Sequence, residues 1–133
     1  MPHLNPKVAR RLDEDLVGWL TTVGGDGQPQ SSLVWFLRED DHLLIYSQAG
    51  VGKLANIATN AKVAFNLRSD EHGDDYVTIE ATATIDYSPT PAHEVPTYLA
   101  KYEGEIIRLG WTPPDFAADY SVLIRLELSR IRA

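Results

Sequence analysis

Residues 76–87 alternate between apolar and polar side chains: Val77, Ile79, Ala81, Ala83 and Ile85 oppose Thr78, Glu80, Thr82, Thr84 and Asp86. A two-residue period puts each set on one face of an extended strand. Such a strand needs paired neighbours, and the chain offers five. Residues 19–23 read Trp-Leu-Thr-Thr-Val, rich in aromatic and β-branched types. Residues 30–37 set Leu33, Trp35 and Leu37 against Ser32, Val34 and Phe36, so both faces are expected to be covered. Residues 42–47 and 61–68 follow, the latter with Val63, Phe65 and Leu67 on one face. Residues 120–128 close the set, with Val122, Ile124, Leu126 and Leu128 inward and Leu123, Arg125 and Glu127 outward. The first three strands are separated by a glycine-rich turn at 24–27 and a polar turn at 38–41, which indicates an antiparallel meander. Six antiparallel strands in one small chain are expected to curl into a barrel, because curling removes the exposed edges.

Helices flank this sheet. Asn5-Pro6 is a strong start signal, an N-cap followed by proline at the first helical position. Val8, Leu12 and Leu16 follow at helical spacing, and Gly18 marks the end. Residues 53–59 place Leu54, Ile57 and Ala58 on one face, with Asn60 at the C-terminal end. Tyr98, Tyr102 and Ile106 stand four apart on a longer helix that Pro96 shortens or kinks. Thr112-Pro113-Pro114-Asp115 predicts a break and a short helical turn. The fold class is mainly β with flanking helices, one domain over residues 1–133.

With 133 residues, 44% of them hydrophobic and 23% charged, the chain can bury one real core. Twelve bases against nineteen acids give 12 − 19 = −7. That balance argues against nucleic acid or an anionic membrane as partner, so an anion site has to be built locally. The absence of cysteine excludes disulfides, thiolate metal sites and a cysteine nucleophile. No apolar run reaches the ~20 residues of a membrane span. The first residues lack the order of a signal peptide, and a cytoplasmic protein is expected. There is no phosphate-loop, Gly-x-Ser-x-Gly or His-Glu-x-x-His motif. His3, His42, His72 and His93 fall in loops, strand ends or polar helix surface. The acidic run 70–75 lacks the spacing of metal ligands and reads as a solvated loop.

Two stretches carry chemistry. From Tyr46 to Asn56 a strand runs through a glycine loop into a helix, with Lys53 in the first turn. Glycines let backbone N–H groups approach an anion, and a helix N-terminus carries about half a positive charge. A lysine there opposes the helix dipole, and a bound anion would reverse that penalty. A plain loop with an exposed lysine is the other reading. From Gly25 to Phe36 a hairpin carries the adjacent aromatics Trp35 and Phe36 on opposite faces, one free to line a flat pocket or an interface. Sheet packing on both faces is the simpler reading.

Taken in order, these stretches resemble the flavin/deazaflavin-binding split-barrel superfamily, the group of pyridoxamine 5′-phosphate oxidases and deazaflavin (coenzyme F420)-dependent reductases. The resemblance runs through the opening helix, residues 19–23, Gly25-Asp26-Gly27-Gln28-Pro29, Leu33-Val34-Trp35-Phe36, Leu44-Ile45-Tyr46-Ser47, Lys53, Asn56-Ile57, Asn60 and Val63. It implies a six-stranded antiparallel split β-barrel that forms a homodimer with cofactor at the interface. The cofactor-binding residues it implies are Leu33, Val34, Trp35, Phe36, Ser47, Gln48, Gly52, Lys53 and Asn56. The ring system would lie along Leu33 to Phe36, and Ser47, Gln48 and Lys53 would hold the phosphate. Gly52-Lys53-Leu54 stands where the oxidases commonly carry a Ser-Arg-Lys type sequence. The chain is therefore more similar to the F420-dependent reductases, which transfer hydride to an unsaturated carbonyl or quinone-like small molecule. The alternatives are an FMN-dependent pyridoxamine 5′-phosphate oxidase-like enzyme and a non-catalytic flavin- or deazaflavin-binding protein. No metal ligand set and no general acid stand out, so solvent is the expected proton donor. Tyr98, Tyr102 and Trp111 are candidates for the pocket wall.

Overall fold

A computed structural model describes residues 4–133; His3 lies outside them. Helix α1 (Pro6–Glu14) starts as expected, the Asn5 side-chain oxygen accepting a hydrogen bond from the Val8 N–H at 2.9 Å. Val8 and Leu12 are buried, but Leu16 falls beyond the helix and stays exposed. The strands are β1 (Gly18–Val23), β2 (Pro29–Val34), β3 (Leu37–Glu39), β4 (His42–Ser47), β5 (Lys62–Asn66), β6 (Thr78–Asp86) and β7 (Val122–Arg132). Helix α2 (Gly52–Thr59) follows β4. A short 3-10 turn (Ala92–Glu94), α3 (Pro96–Arg108) and α4 (Pro113–Asp119) lie between β6 and β7. Pro96 and Pro113 occupy first helical positions, where a missing N–H costs nothing, so α3 is not kinked. No helix of the described residues is long and apolar enough to cross a membrane.

The strands form one antiparallel sheet in the order β2-β1-β5-β6-β7-β4-β3. The count among the described residues is seven because the strand expected over 30–37 is broken at Trp35-Phe36. Its first half pairs with β1 and its last residue opens β3, which pairs with β4. These two halves are the opposite edges of the sheet, yet three peptide steps join Val34 to Leu37. Three steps span at most roughly 11 Å, so the edges must meet, and the sheet curls into a split barrel. A bulge between Glu80 and Ala81 helps the long β6–β7 ribbon bend. At Gly18 a Cβ would fall 2.2 Å from the Phe65 ring, so only glycine lets β1 enter beside β5.

The sheet has two apolar faces. Inside the barrel, Leu20, Phe36, Ile45, Phe65, Ile79, Ile124 and Leu126 pack with Val8 and Leu12 of α1 and Leu54 and Ile57 of α2. Outside, Leu37, Leu44, Tyr46 and Leu123 pack under Tyr98, Tyr102 and Ile106 of α3 and Phe116 and Ala117 of α4. Leu123, expected to face outward among polar neighbours, does face outward and is buried, because the helical layer covers that side of β7.

The break at Trp35-Phe36 leaves peptide groups with no ladder partner, and α3 supplies them. The Phe36 N–H donates to the Tyr102 hydroxyl at 2.9 Å. That hydroxyl in turn has the Leu16 and Phe36 carbonyls as acceptors at 2.6 and 3.0 Å. Lys101 Nζ donates to the Leu12 and Phe36 carbonyls at 3.1 and 2.9 Å and stands 3.9 Å from the centre of the Phe36 ring. Tyr102→Phe is expected to lower unfolding stability by about 1–3 kcal/mol in urea denaturation, because it strands a buried donor and acceptors. Burial lowers the Lys101 pKa to about 8, with Asp13 and Asp15 pulling the other way. An ammonium whose pKa falls on folding costs stability while it is charged, and the cost fades as pH rises from about 8 toward the ordinary 10.5. Urea midpoints are therefore expected to rise across that alkaline window and to flatten in Lys101→Met.

Candidate functional site

At the end of β4 the chain turns through Gln48–Val51, with Gly50 at φ 74° in the left-handed region that glycine tolerates, and enters α2. Val51 is the N-cap and gives no side-chain hydrogen bond, and the first turn holds no acid. The leading N–H groups of α2 thus lack a capping side chain. Lys53 sits in that turn, half-buried. Burial lowers its pKa, and no carboxylate acts to raise it again. A partly desolvated cation with no counter-charge among the described residues, at the positive end of a helix, is suited to holding an anion. Ser47 is buried, its hydroxyl donating to the Gln48 carbonyl at 2.9 Å. The Gln48 side-chain amide donates to Asp119 at 2.5 Å, tying the turn to the end of α4.

This corner opens into a cavity of about 280 Å³ between the barrel edge and the α3–α4 layer. Of the nine residues expected to bind cofactor, Leu33, Val34, Trp35, Ser47, Gln48 and Lys53 line it. Phe36, Gly52 and Asn56 do not. Phe36 points into the barrel, fully buried, edge-on to Phe65 at 4.9 Å. Gly52 is exposed at the start of α2. The Asn56 amide donates to Thr22 and Gln30, both at 3.0 Å, and braces α2 against the β1–β2 hairpin. Tyr98 and Trp111 line the cavity, whereas Tyr102 stands behind Trp35.

The far wall is aromatic. Tyr120 and Phe116 stack at 4.5 Å, Phe116 and Trp35 at 5.4 Å, and Trp35 and Tyr102 at 4.7 Å, with interplanar angles of 11°, 23° and 9°. Phe116 and Tyr120 were not singled out from the sequence, although their four-residue spacing after the proline pair was the available signal. The site thus joins one cationic corner to a flat apolar wall, a shape suited to a planar ring that carries an anionic tail.

The acidic run is otherwise engaged. Asp70 accepts from the His72 and Asp74 N–H groups at 3.1 and 2.8 Å, and Asp75 pairs with Lys7 and Arg11 at 3.2 and 3.0 Å. Among the described residues no group of three or more His, Cys, Asp or Glu side chains is placed to hold a metal ion.

Comparison with known proteins agrees with this architecture. An F420 reductase is 24% identical, with 99% of this chain and 98% of that chain covered at a TM-score of 0.71. A conserved hypothetical protein from Mycobacterium tuberculosis is also 24% identical, covering 99% and 84% at 0.77. The heme storage protein HutZ from Vibrio cholerae is 18% identical, covering 99% and 95% at 0.68. Identities this low establish the shared fold and nothing finer. No protein of curated function matches the chain. The family model described as pyridoxamine 5′-phosphate oxidase matches residues 4–132, and by that match over nearly its whole length the chain belongs to the pyridoxamine 5′-phosphate oxidase family.

Proposed function

We propose that this chain is a coenzyme F420-dependent oxidoreductase acting on an unsaturated carbonyl or quinone-like small molecule. The observation that carries the reading is Lys53, half-buried without counter-charge where the glycine turn meets α2, at the edge of an aromatic-walled cavity. When bound, reduced deazaflavin supplies a hydride from its ring carbon to an electrophilic carbon of the substrate. Lys53 and the uncapped N–H groups of α2 hold the phosphate. Leu33, Val34 and Trp35 border the ring, and the stacked aromatics keep water from that side.

At the phosphate itself, charge matching favours the phosphodiester of F420 over the phosphomonoester of FMN. A phosphodiester carries one negative charge, whereas a phosphomonoester carries about 1.5 to 2 at neutral pH. One lysine and one helix terminus balance the first better than the second. Titration with both coenzymes, followed by their absorbance and fluorescence, decides between them, and preferential FMN binding refutes the F420 assignment. Lys53→Ala is expected to weaken coenzyme binding by about 1–3 kcal/mol, and unchanged affinity removes Lys53 from the site. Affinity in the wild type is expected to fall as pH rises through the lowered pKa of Lys53, since the neutral amine no longer pairs with phosphate.

The reading includes a homodimer. Trp19 and Leu33 face each other across β1 and β2, exposed by 47% and 53%, beside exposed Leu16 and Val17. Leu33 also lines the cavity, so a second copy covering this patch closes the site. Leu33→Asp is expected to yield monomers in sedimentation and to weaken coenzyme binding together. A wild-type monomer at micromolar concentration refutes an interfacial site.

A further inference from the structure

Among the described residues, every buried hydroxyl near the cavity but one has a partner. The Tyr46 hydroxyl donates to the Thr90 carbonyl at 2.7 Å, that of Ser47 to the Gln48 carbonyl, and that of Tyr102 to the strand break. Tyr98 differs. Its side chain lines the cavity, is fully buried, and carries a hydroxyl with no hydrogen-bond partner. The ring packs among Tyr46, Tyr102 and Phe116, at centroid distances of 5.1, 5.0 and 6.2 Å. Packing alone would be served as well by phenylalanine, and an unmet donor in an apolar cluster is costly. Its presence at a cavity wall calls for an acceptor that arrives with a ligand.

We propose that the Tyr98 hydroxyl is the hydrogen-bond donor to a ring carbonyl oxygen of the bound coenzyme, at the carbonyl edge that deazaflavin and flavin rings share. The assignment rests on the coenzyme reading above and extends it to the ring end of the site. Lys53 and Tyr98 line the same cavity, so a coenzyme with its phosphate at Lys53 lies within the space that Tyr98 borders. Burial, with the neighbouring phenols of Tyr102, Tyr46 and Tyr120, pushes the Tyr98 pKa up, so the group remains a donor throughout the neutral and alkaline range. The ligand-free fold closes this hydroxyl off, so ring entry has to displace part of the wall. Trp111, exposed, and Tyr120, half-buried, lie edge-on at 6.3 Å and are the side chains placed to yield.

Wild-type protein and Tyr98→Phe are titrated with coenzyme F420 and with FMN, followed by coenzyme fluorescence, while ligand-free thermal midpoints are recorded alongside. The expected result is a midpoint unchanged or raised in the variant, with affinity for the coenzyme that the wild type binds reduced about tenfold. Equal affinity in variant and wild type overturns the Tyr98 assignment and leaves the coenzyme reading standing. A lowered ligand-free midpoint also overturns it, because the hydroxyl then has a structural partner. A wild-type protein that binds neither coenzyme overturns both.

Discussion

The fold turns on the two peptide units at Trp35-Phe36, where one strand leaves the β1 side of the sheet and becomes the opposite edge. A barrel that closes through its own chain has to break a ladder there, and a broken ladder inside a protein exposes N–H and C=O groups that water cannot reach. Two consecutive residues of α3 resolve this. Tyr102 accepts from the Phe36 N–H, and Lys101 donates to the Phe36 carbonyl. The same bonds dock α3 on the barrel and fix its rotation, and that rotation sets Tyr98 and Ile106 against the cavity. The break also sends Phe36 into the barrel and Trp35 outward into the stack with Tyr102 and Phe116. Barrel closure, helix docking and the aromatic wall therefore follow from one local problem of hydrogen bonding.

That break was not legible in the sequence, for a physical reason. Every residue from Leu33 to Leu37 is apolar, so no change of polarity or period marks the break. The groups that satisfy the break lie 65 and 66 residues away, beyond any local pattern. The burial of the outward face of β7 is hidden from the sequence in the same way. Leu123 sits in the phase of Arg125 and Glu127, and only the packing of α3 and α4 shows that this part of the face is covered. What the sequence did carry was local: the Asn5-Pro6 helix start, the 42–47 strand, and the turn into α2 with Lys53. Each is set by neighbours within a few residues. Phe36 shows the limit of carrying a run over whole. Leu33, Val34 and Trp35 all reach the cavity, but the broken backbone turns Phe36 into the barrel core, away from Trp35.

Electrostatically the corner at Lys53 runs against its surroundings. The chain is acidic overall, yet here a lysine gives up solvent and finds no carboxylate. It also stands in the one turn of α2 where its charge opposes the dipole. Each choice weakens the fold slightly, and each becomes favourable when an anion occupies the corner. Departures of this kind concentrate where a structure is shaped for a ligand rather than for its own stability. Tyr98 is the uncharged counterpart on the α3 wall of the cavity, a donor with no partner among the described residues. Gln48 contrasts with both. Its amide already gives one N–H to Asp119, which leaves a second N–H and the carbonyl oxygen for a ligand.

The size of the cavity bears on what one chain can do alone. About 280 Å³ lies just under the roughly 300–1,000 Å³ usual for ligand sites, and a tricyclic ring with its chain and phosphate needs more enclosure than that. The wall is well formed on the α3–α4 side, where four rings stack, and weakest at Leu33, which is more than half exposed. An apolar cross-strand pair, Trp19 and Leu33, continues outward from that weak side. Burying such a pair gains free energy in proportion to area, and covering Leu33 completes the enclosure with the same surface. In the proposed dimer, association and coenzyme binding would be thermodynamically linked, each strengthening the other, because the surface joining the two copies would also be a wall of the site.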